Sequence, residues 1–264
     1  MEFLILLGNT LLLRPYVFLF LAIALSTSAW LIGRMRTAIF FFLTWVTAFA
    51  CEFSSTRTGI PFGWYFYNGS TRGQELYISN VPFMDSLSFT FLLFASYCLA
   101  LVFLLPAKGR GLGMTMQDDP AIRTSAAVLF LSALFFVLLD VVIDPVALRG
   151  DRWFLGKIYY YPEPGAHFGV PIANYVGWAL VGLVALGFYQ RIDRRLPNVS
   201  PHSQNIAGKL LLGCALYYGV LAFNLAVTFW IGEPVIGTTG ILIYLPVTAL
   251  LLLKLTGRLP APLP

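Results

Sequence analysis

Runs of about 20 mostly apolar residues recur along the 264-residue chain, and a helix of about that length crosses the hydrocarbon core of a bilayer. Hydrophobic residues make up 58% of the chain and charged residues 11%, whereas a soluble domain carries about 25% charged residues. The sequence therefore predicts an all-α, polytopic membrane protein with about seven transmembrane helices in one bundle. We place the spans at residues 15–33, 37–56, 84–106, 124–144, 173–190, 208–231 and 235–255.

No internal repeat, low-complexity linker or break in composition divides the chain, so we expect residues 1–264 to form a single integral-membrane helical domain. Residues 3–13 are apolar but short, and Arg14 and Pro15 separate them from the first span. This segment is either an interfacial helix or an extension of that span. The N-terminus lacks a basic region and a small-residue cleavage site, so we do not expect a removable signal peptide.

The basic residues predict the orientation of the chain. Eleven of the 17 lysines and arginines lie on one side of the seven predicted spans, and cytoplasmic loops carry the excess of Lys and Arg. We therefore expect a multi-pass protein of the cell membrane, in contact with its lipids, with the N-terminus outside and the C-terminus in the cytoplasm. No Lys/Arg-rich run with interleaved aromatics is present, so nucleic acid is not expected as a partner.

The two longest loops, residues 57–83 and 145–172, fall on the predicted outer side and are rich in aromatic residues, glycine and proline. Loops this apolar are not solvated linkers. They either fold back as a lid over the helix bundle or lie in the membrane interface as an aromatic belt, and the sequence leaves both interpretations open.

Polar residues inside the apolar spans gather near their predicted outer ends, while the cytoplasmic half of the spans is almost purely apolar. A carboxylate in hydrocarbon costs several kcal/mol on insertion scales, so intramembrane carboxylates are rare and usually functional. The members of this polar layer include Glu52, Asp85, Asp140, Asp144, Asn174 and Asn224.

Each carboxylate also has a structural explanation to weigh. Glu52 can pair with Arg57 at the interface, and Asp85 can cap the start of its helix. Asp144 precedes a proline and can simply end its helix. Asp140 lies a full turn deeper and is harder to explain in this way, which favours a functional role for the Asp140/Asp144 pair.

Four further residues are candidates for binding a substrate. Asn174 and Trp178 share one helix face, and Asn224 lies toward the outer end of its span, although hydrogen bonding between helices is an alternative role for these polar residues. His167 lies among glycines and prolines in an outer loop, where it is either a site residue or an ordinary loop residue.

Several classes of chemistry are disfavoured. The two histidines lie far apart on opposite predicted membrane faces, so no metal site is expected. The sequence lacks GxGxxG, Walker and GxSxG motifs, which disfavours a redox enzyme that carries its own nucleotide cofactor. The three cysteines fall inside apolar segments without a CxxC pattern, which is typical of free buried thiols. They are Cys51, Cys98 and Cys214.

What remains is carboxylic acid chemistry in an aromatic-walled cavity. A desolvated carboxylic acid stays protonated near neutral pH and can protonate an electron-rich alkene. Aromatic faces would stabilise the carbocation, and a second carboxylate would steer water onto it. The aromatic candidates are Trp64, Tyr65, Phe66 and Trp153.

The four-residue spacing of the aspartates suggests how the roles divide. Asp140 and Asp144 share a helix face, with Asp140 about 6 Å deeper at about 1.5 Å of rise per residue. We expect the deeper Asp140 to be the protonated acid and Asp144 to be ionised and to orient water. Asp85 or Glu52 is the fallback for either role. We also expect an apolar channel long enough for a long apolar substrate.

Three stretches resemble a known family: "GIPFGWYFY", "ELYISNVPFMDSLSFTFLLFASYCLAL" and "LDVVIDPVALRGDRWFLGKIYYYPEPGAHFGVPIANYVGW". They are similar to the carotenoid biosynthesis proteins of the CruF type, which include the carotenoid 1′,2′-hydratases and the hydratases of longer archaeal carotenoids. The resemblance is close over roughly residues 45 to 180, and the remaining spans fit in number and order.

The resemblance implies addition of water across the terminal double bond of an acyclic carotenoid end group, giving a tertiary alcohol without an organic cofactor. Other enzymes of the same pathway are possible partners. Two alternatives stay open: a carotenoid cyclase that starts with the same protonation but excludes water, and a carotenoid-binding or transport protein in which the carboxylates relay protons.

Overall fold

A computed structural model describes residues 2–197 and 205–258. Helices dominate this part of the chain, together with three small two-stranded antiparallel sheets. The helices are α1 (Glu2–Leu13), α2 (Pro15–Leu31), α3 (Arg34–Thr58), α4 (Phe83–Leu104), α5 (Pro120–Arg123), α6 (Ala126–Ala147), α7 (Ile172–Asp193), α8 (Ala207–Trp230) and α9 (Pro234–Leu255). The strands are β1 (Phe66–Tyr67), β2 (Tyr77–Ile78), β3 (Val81–Pro82), β4 (Ala107–Lys108), β5 (Thr115–Met116) and β6 (Tyr159–Tyr160).

Helices α3, α4, α6, α7, α8 and α9 are long and apolar enough to cross a membrane, and α2 makes a seventh span if it is taken together with α1. This confirms the predicted class, a polytopic all-α membrane protein with about seven spans. The α1–α2 pair bends by 93°. Residues 3–13 therefore join the first span through a sharp bend.

Local sequence explains several helix ends. Ser125 caps α6 by accepting a hydrogen bond from the backbone N–H of Val128. Gly59 ends α3 in the left-handed conformation, with φ of 73°, where a side chain is unfavourable. Pro145 lies inside α6, which continues to Ala147, so Asp144 does not simply end its helix.

Helix α4 lies at the centre of the bundle, where it contacts α2, α3, α6 and α8. Every residue from Phe89 to Val102 is buried, so the helix is apolar all round, as a fully enclosed helix must be. Helix α9 packs mainly against α6 and α8, and its Lys254 donates to the carbonyls of Phe103 and Leu105 at the end of α4. It presents most of its surface outward, which suits a position facing lipid.

The two long loops fold together over one end of the bundle. Strand β1 of the first loop pairs with β6 of the second, with Phe66 opposite Tyr160 and Tyr67 opposite Tyr159. We call residues 59–82 and 148–171 the outer lid. Of the two sequence interpretations, the structure thus favours a lid that covers the helix ends.

A buried arginine at the α1–α2 bend holds both halves of the outer lid. Arg14 forms an ion pair with Glu75 of the first loop at 3.2 Å and donates to the backbone carbonyl of Leu155 in the second loop at 2.5 Å. Both charged residues are at most 1% exposed. The lid and the N-terminal bend are therefore linked by one buried ion pair.

The opposite end of the bundle also contains buried charged residues. Asp193 at the end of α7 accepts hydrogen bonds from Arg36 of α3 at 2.5 Å and from Arg123 of α5 at 2.9 Å, and Arg123 also pairs with Asp118. All but Asp118 are buried. These residues lie just outside the predicted spans, and they form a second buried polar cluster that joins α3, α5 and α7.

Candidate active site

The predicted polar layer assembles in the structure beneath the outer lid. Glu52 lies in the last two turns of α3 and Asp85 in the first turn of α4, while Asp140 and Asp144 lie in the last two turns of α6 and Asn174 in the first turn of α7. All except Asp85, which is partly accessible, are buried. Five residues separated by up to 122 positions in sequence thus meet at one end of the bundle.

Asp144 is the most heavily hydrogen-bonded carboxyl of the site. It accepts from the Tyr159 hydroxyl at 2.6 Å, the Tyr161 hydroxyl at 2.7 Å and the Asn174 amide at 2.8 Å. Burial raises the pKa of both phenols well above the usual value for tyrosine, so they keep their protons and donate. Three donors on one carboxyl compensate a negative charge, since hydrogen bonds to the charged form favour it.

Asp140 is buried behind Asp144 and is fully inaccessible. The Asn174 amide donates to its Oδ2 at 2.6 Å, so this one amide bridges the two aspartates of α6. Its Oδ1 has no hydrogen-bond partner within the described residues. The two aspartates do share one face, as their spacing predicted, but they differ in what packs around them.

Tyr67 of β1 joins the other two carboxyls. Its hydroxyl lies 2.6 Å from Oδ2 of Asp85 and 3.0 Å from Oε1 of Glu52. Burial, followed by the nearby negative charges, raises the pKa of the Tyr67 phenol well above its usual value. The phenol is therefore protonated and bridges α3 and α4.

Two adjacent cavities meet at the carboxyl cluster. The polar cavity, of about 50 Å³, is bordered by Glu52, Tyr67, Tyr161 and Asn174 among others. The apolar cavity, of about 110 Å³, lies between α2, α4, α6, α8 and the second half of the outer lid. Four side chains border both cavities: Asp85, Asp144, Tyr159 and Trp178.

The structural alternatives for the carboxyls are not realised. Arg57 donates to the backbone oxygen of Phe53 and does not pair with Glu52. Helix α4 begins at Phe83, after an N-cap residue without a side-chain hydrogen bond, so Asp85 is not its cap. Glu52, Asp85 and Asp144 instead all direct oxygens at lid tyrosines.

Strand alternation places the predicted aromatic residues 64–66 on two sides of the first loop, one facing the bundle and one facing away from it. Side chains of successive residues in an extended segment point to opposite sides, and Tyr65 and Tyr67 point inward and border the polar cavity. Trp64 is 51% exposed and stacks on Phe66, and neither borders a cavity. Their position outside both cavities does not support the prediction that Trp64 and Phe66 hold a carbocation.

Trp153 does border the apolar cavity, where its ring packs against Tyr16, Phe154 and Phe223. Its indole N–H donates to the carbonyl of Val146 at 3.0 Å, which fixes the ring. Trp178 stacks on Phe89 with ring centroids 4.1 Å apart and forms part of the wall shared by the two cavities.

The remaining two candidates, Asn224 and His167, differ in their position relative to the cavities. Asn224 borders the apolar cavity but donates to the backbone oxygen of Val220 in its own helix. His167 contacts the Tyr175 hydroxyl through Nδ1 at 2.5 Å and borders neither cavity. Of the two interpretations of His167, this position favours an ordinary loop residue.

The apolar cavity is smaller than the channel expected from sequence, which was to be long enough for a whole long substrate. Its volume of about 110 Å³ is below the roughly 150 Å³ of an apolar protein cavity that takes a benzene molecule. It therefore has room for one end of a long apolar molecule and not for the whole of it.

The three tyrosines that contact the carboxyls were not among the residues predicted from sequence. They are Tyr67, Tyr159 and Tyr161. The alternating aromatic runs "WYFY" and "YYY" carry the signal, because only every second residue of an extended segment faces the bundle. Which alternate set faces inward depends on the β1–β6 pairing, which joins loops far apart in sequence.

The fold and the site define a class: a polytopic helical membrane protein with a carboxyl–tyrosine cluster beneath a lid of aromatic loops. The sequence profile of the family described as carotenoid biosynthesis protein matches residues 13–246. The chain therefore belongs to the carotenoid biosynthesis protein family, which confirms the resemblance found in its sequence.

One curated relative shares a large part of the chain. The sequence is 32% identical over 139 residues to bisanhydrobacterioruberin hydratase of Haloarcula japonica, a match that covers 53% of this chain and 40% of the relative. The aligned part thus spans less than half of that protein. No solved structure matches the chain.

Proposed function

We propose that this protein is a carotenoid hydratase that adds water across the terminal double bond of an acyclic carotenoid end group and yields a tertiary alcohol. The observation that carries the proposal is the meeting of an apolar and a polar cavity at two carboxyls, Asp85 and Asp144. Addition of water to an alkene needs this arrangement, because an apolar end group and a water molecule must reach the same acid–base pair.

Membership of the carotenoid biosynthesis family supports the substrate class, and the similarity to a carotenoid hydratase supports the reaction. The apolar cavity suits the size of an end group, so the remaining polyene would extend out of it toward the lipid. The polar cavity, at about 50 Å³, has room for water, which needs about 10–15 Å³ per molecule in this measure.

Asp85 is the proton donor in this proposal. It borders the apolar cavity and carries one tyrosine contact, whereas Asp144 accepts three hydrogen bonds. The proton of Asp85 forms a C–H bond at the less substituted alkene carbon as the π bond breaks. The positive charge then lies on the tertiary carbon, near the aromatic rings of Trp153 and Phe223.

Asp144 orients the water and takes its proton. Water in the polar cavity forms the new C–O bond to the tertiary cation, and one of its O–H bonds breaks with transfer of the proton to Asp144. This keeps the role predicted for Asp144 from sequence. Asp140, predicted to be the donor, borders neither cavity, so the role passes to the fallback residue Asp85.

Expression in a host that accumulates an acyclic carotenoid tests the proposed function. We expect products that are heavier than the substrate by one water, or by two if both end groups are acyclic. A host with the empty vector is the control. An isomer of unchanged mass with a ring at its end would indicate a cyclase, and unchanged substrate bound to the purified protein would indicate a binding or transport protein.

A further inference from the structure

The hydroxyl of Tyr67 lies between the carboxyls of Glu52 and Asp85, which accept few other hydrogen bonds. Asp85 Oδ2 is 2.6 Å and Glu52 Oε1 is 3.0 Å from the phenol oxygen. Glu52 Oε2 has no hydrogen-bond partner within the described residues and is buried. We propose that Glu52, Tyr67 and Asp85 form a proton relay that reloads the acid Asp85 from the polar cavity, a proposal that rests on the hydratase function.

The number of protons follows from the two short contacts. Each O···O contact at hydrogen-bond distance needs a hydrogen between the oxygens, and a phenol has one. In the proposed relay one of the two carboxyls therefore carries a proton, because one phenol proton cannot form a full hydrogen bond to both. Either Glu52 donates to the Tyr67 oxygen while Tyr67 donates to Asp85, or Asp85 donates to Tyr67 while Tyr67 donates to Glu52.

A shift of two protons interconverts these arrangements. The phenol proton moves to Asp85 as the Glu52 proton moves to the phenol oxygen, so the net result is transfer of one proton from Glu52 to Asp85. The phenol is a neutral O–H before and after the shift. Tyr67 thus acts through Asp85 as a positioning and relay residue, since it borders the polar cavity and not the apolar one.

The relay closes a balanced circuit of protons. Asp85 gives its proton to the alkene, and the attacking water gives a proton to Asp144. Asp144 and Glu52 both border the polar cavity, so water there returns the proton from Asp144 to Glu52. Glu52 then reloads Asp85 through Tyr67. One alkene and one water enter each cycle, one alcohol leaves, and the carboxyls end as they began.

The surroundings of Tyr67 contain further titratable groups. Tyr65 lies beside it, with ring centroids 5.4 Å apart, and Tyr159 of β6 lies 6.5 Å away. Asp144 of α6 faces the same cavity, and Arg14 and Glu75 form the buried ion pair of the outer lid. Within the described residues, Tyr67 is nevertheless the residue whose hydroxyl contacts both Glu52 and Asp85.

Two substitutions interrupt the relay in different ways. Tyr67→Phe removes the bridging hydroxyl. Glu52→Gln keeps a donor toward the Tyr67 oxygen, but an amide cannot transfer that proton. We expect each to lower kcat by about 100-fold, the scale of a lost acid–base step. The KM for the carotenoid should stay unchanged, because neither residue borders the apolar cavity.

The matched control is Tyr77→Phe, which removes a hydroxyl from the same loop. Tyr77 contacts Thr71 and borders neither cavity. We expect it to keep the wild-type kcat, KM and thermal stability. Size-exclusion chromatography in detergent verifies that each variant is folded before its kinetics are compared.

Infrared spectroscopy tests the shared proton without any turnover. The wild-type spectrum should contain the carbonyl stretch of a protonated carboxylic acid, which Glu52→Gln removes if Glu52 carries the proton and shifts if Asp85 carries it. Tyr67→Phe should also shift that band, because a hydrogen bond is lost. Tyr77→Phe should leave it unchanged.

The outcomes separate the relay from the proposed function. A wild-type kcat in folded Tyr67→Phe or Glu52→Gln, or a difference spectrum without a protonated-carboxyl band, would overturn the relay while hydration by the wild-type protein stands. Failure of the wild-type protein to hydrate any acyclic carotenoid would overturn the function itself. The infrared band would then still decide whether the three residues share a proton.

Discussion

At the scale of residues, the two aspartates of α6 show what spacing reveals and what it leaves open. A separation of four residues correctly places Asp140 and Asp144 on one face. It does not reveal that Asn174 of α7 bridges them, or that three donors converge on Asp144 alone. Those contacts come from other elements. The depth of each aspartate in α6 therefore did not reveal that Asp144, and not Asp140, borders the cavities.

The roles of the two aspartates can be separated by the same conservative change. Asp144→Asn should lower the rate of product formation by at least about 100-fold, because it removes the group that takes the proton from water. Asp140→Asn should keep more than about a tenth of the wild-type rate, since Asp140 borders neither cavity. Rates of purified, folded variants with one acyclic carotenoid provide the measurement.

An inactive, folded Asp140→Asn beside an active Asp144→Asn would reverse this assignment. It would restore Asp140 to the role that its depth in the sequence suggested.

At the scale of elements, helices were predictable because their hydrophobic length is a property of consecutive residues. The seven spans placed from sequence agree with the observed helices to within a few residues, for example 173–190 against Ile172–Asp193. The outer lid was not predictable in the same way. Its inward and outward residues depend on the β1–β6 pairing between two separate loops, which no local pattern specifies.

Two of the predicted aromatic residues, one at a cavity and one outside both, give a pair of matched substitutions. Trp153→Leu should raise the KM for the carotenoid, because its ring borders the apolar cavity. Trp64→Leu should leave kcat and KM unchanged, because that ring is 51% exposed and lies outside both cavities. Steady-state kinetics of the two variants provide the measurement. A loss of activity in Trp64→Leu alone would contradict the assignment of Trp153, and not Trp64, to the wall of the apolar cavity.

The buried Arg14–Glu75 pair should hold the outer lid to the N-terminal bend. Arg14→Met leaves Glu75 as an unpaired buried charge, which destabilises a protein by about 3–5 kcal/mol. The double variant Arg14→Met/Glu75→Leu should recover much of this loss, because an apolar pair replaces the charges. Arg72→Gln, at an exposed position of the same loop, is the control.

Thermal unfolding in detergent measures these differences. An Arg14→Met protein that unfolds at the temperature of Arg72→Gln would show that the ion pair does not anchor the lid.

At the scale of the whole molecule, the orientation in the membrane remains a prediction from charge. It places Arg34, Lys108 and Arg194 in the cytoplasm and the outer lid outside the cell. An exposed cysteine introduced by Glu163→Cys should react with a membrane-impermeant maleimide in intact cells, whereas Lys108→Cys should react only after the membrane is opened. Labelling of Lys108→Cys alone in intact cells would invert the topology.

The polar clusters at the two ends of the bundle were not equally predictable from sequence. The outer polar layer was predictable because carboxylates are conspicuous inside apolar spans. The cluster of Arg36, Arg123 and Asp193 at the other end was not recognised, since charged residues at span ends are ordinary in loops. Only packing shows that these charges are buried and join three helices.

The central claim is that water from the polar cavity is added to an alkene held in the apolar cavity. Purified wild-type protein should be incubated with an acyclic carotenoid in water labelled with heavy oxygen, with Asp144→Asn as the control. We expect a tertiary alcohol that carries one labelled oxygen for each hydrated end group, and almost none from the control. A cyclised product of unchanged mass, or an alcohol without the label, would contradict the claim.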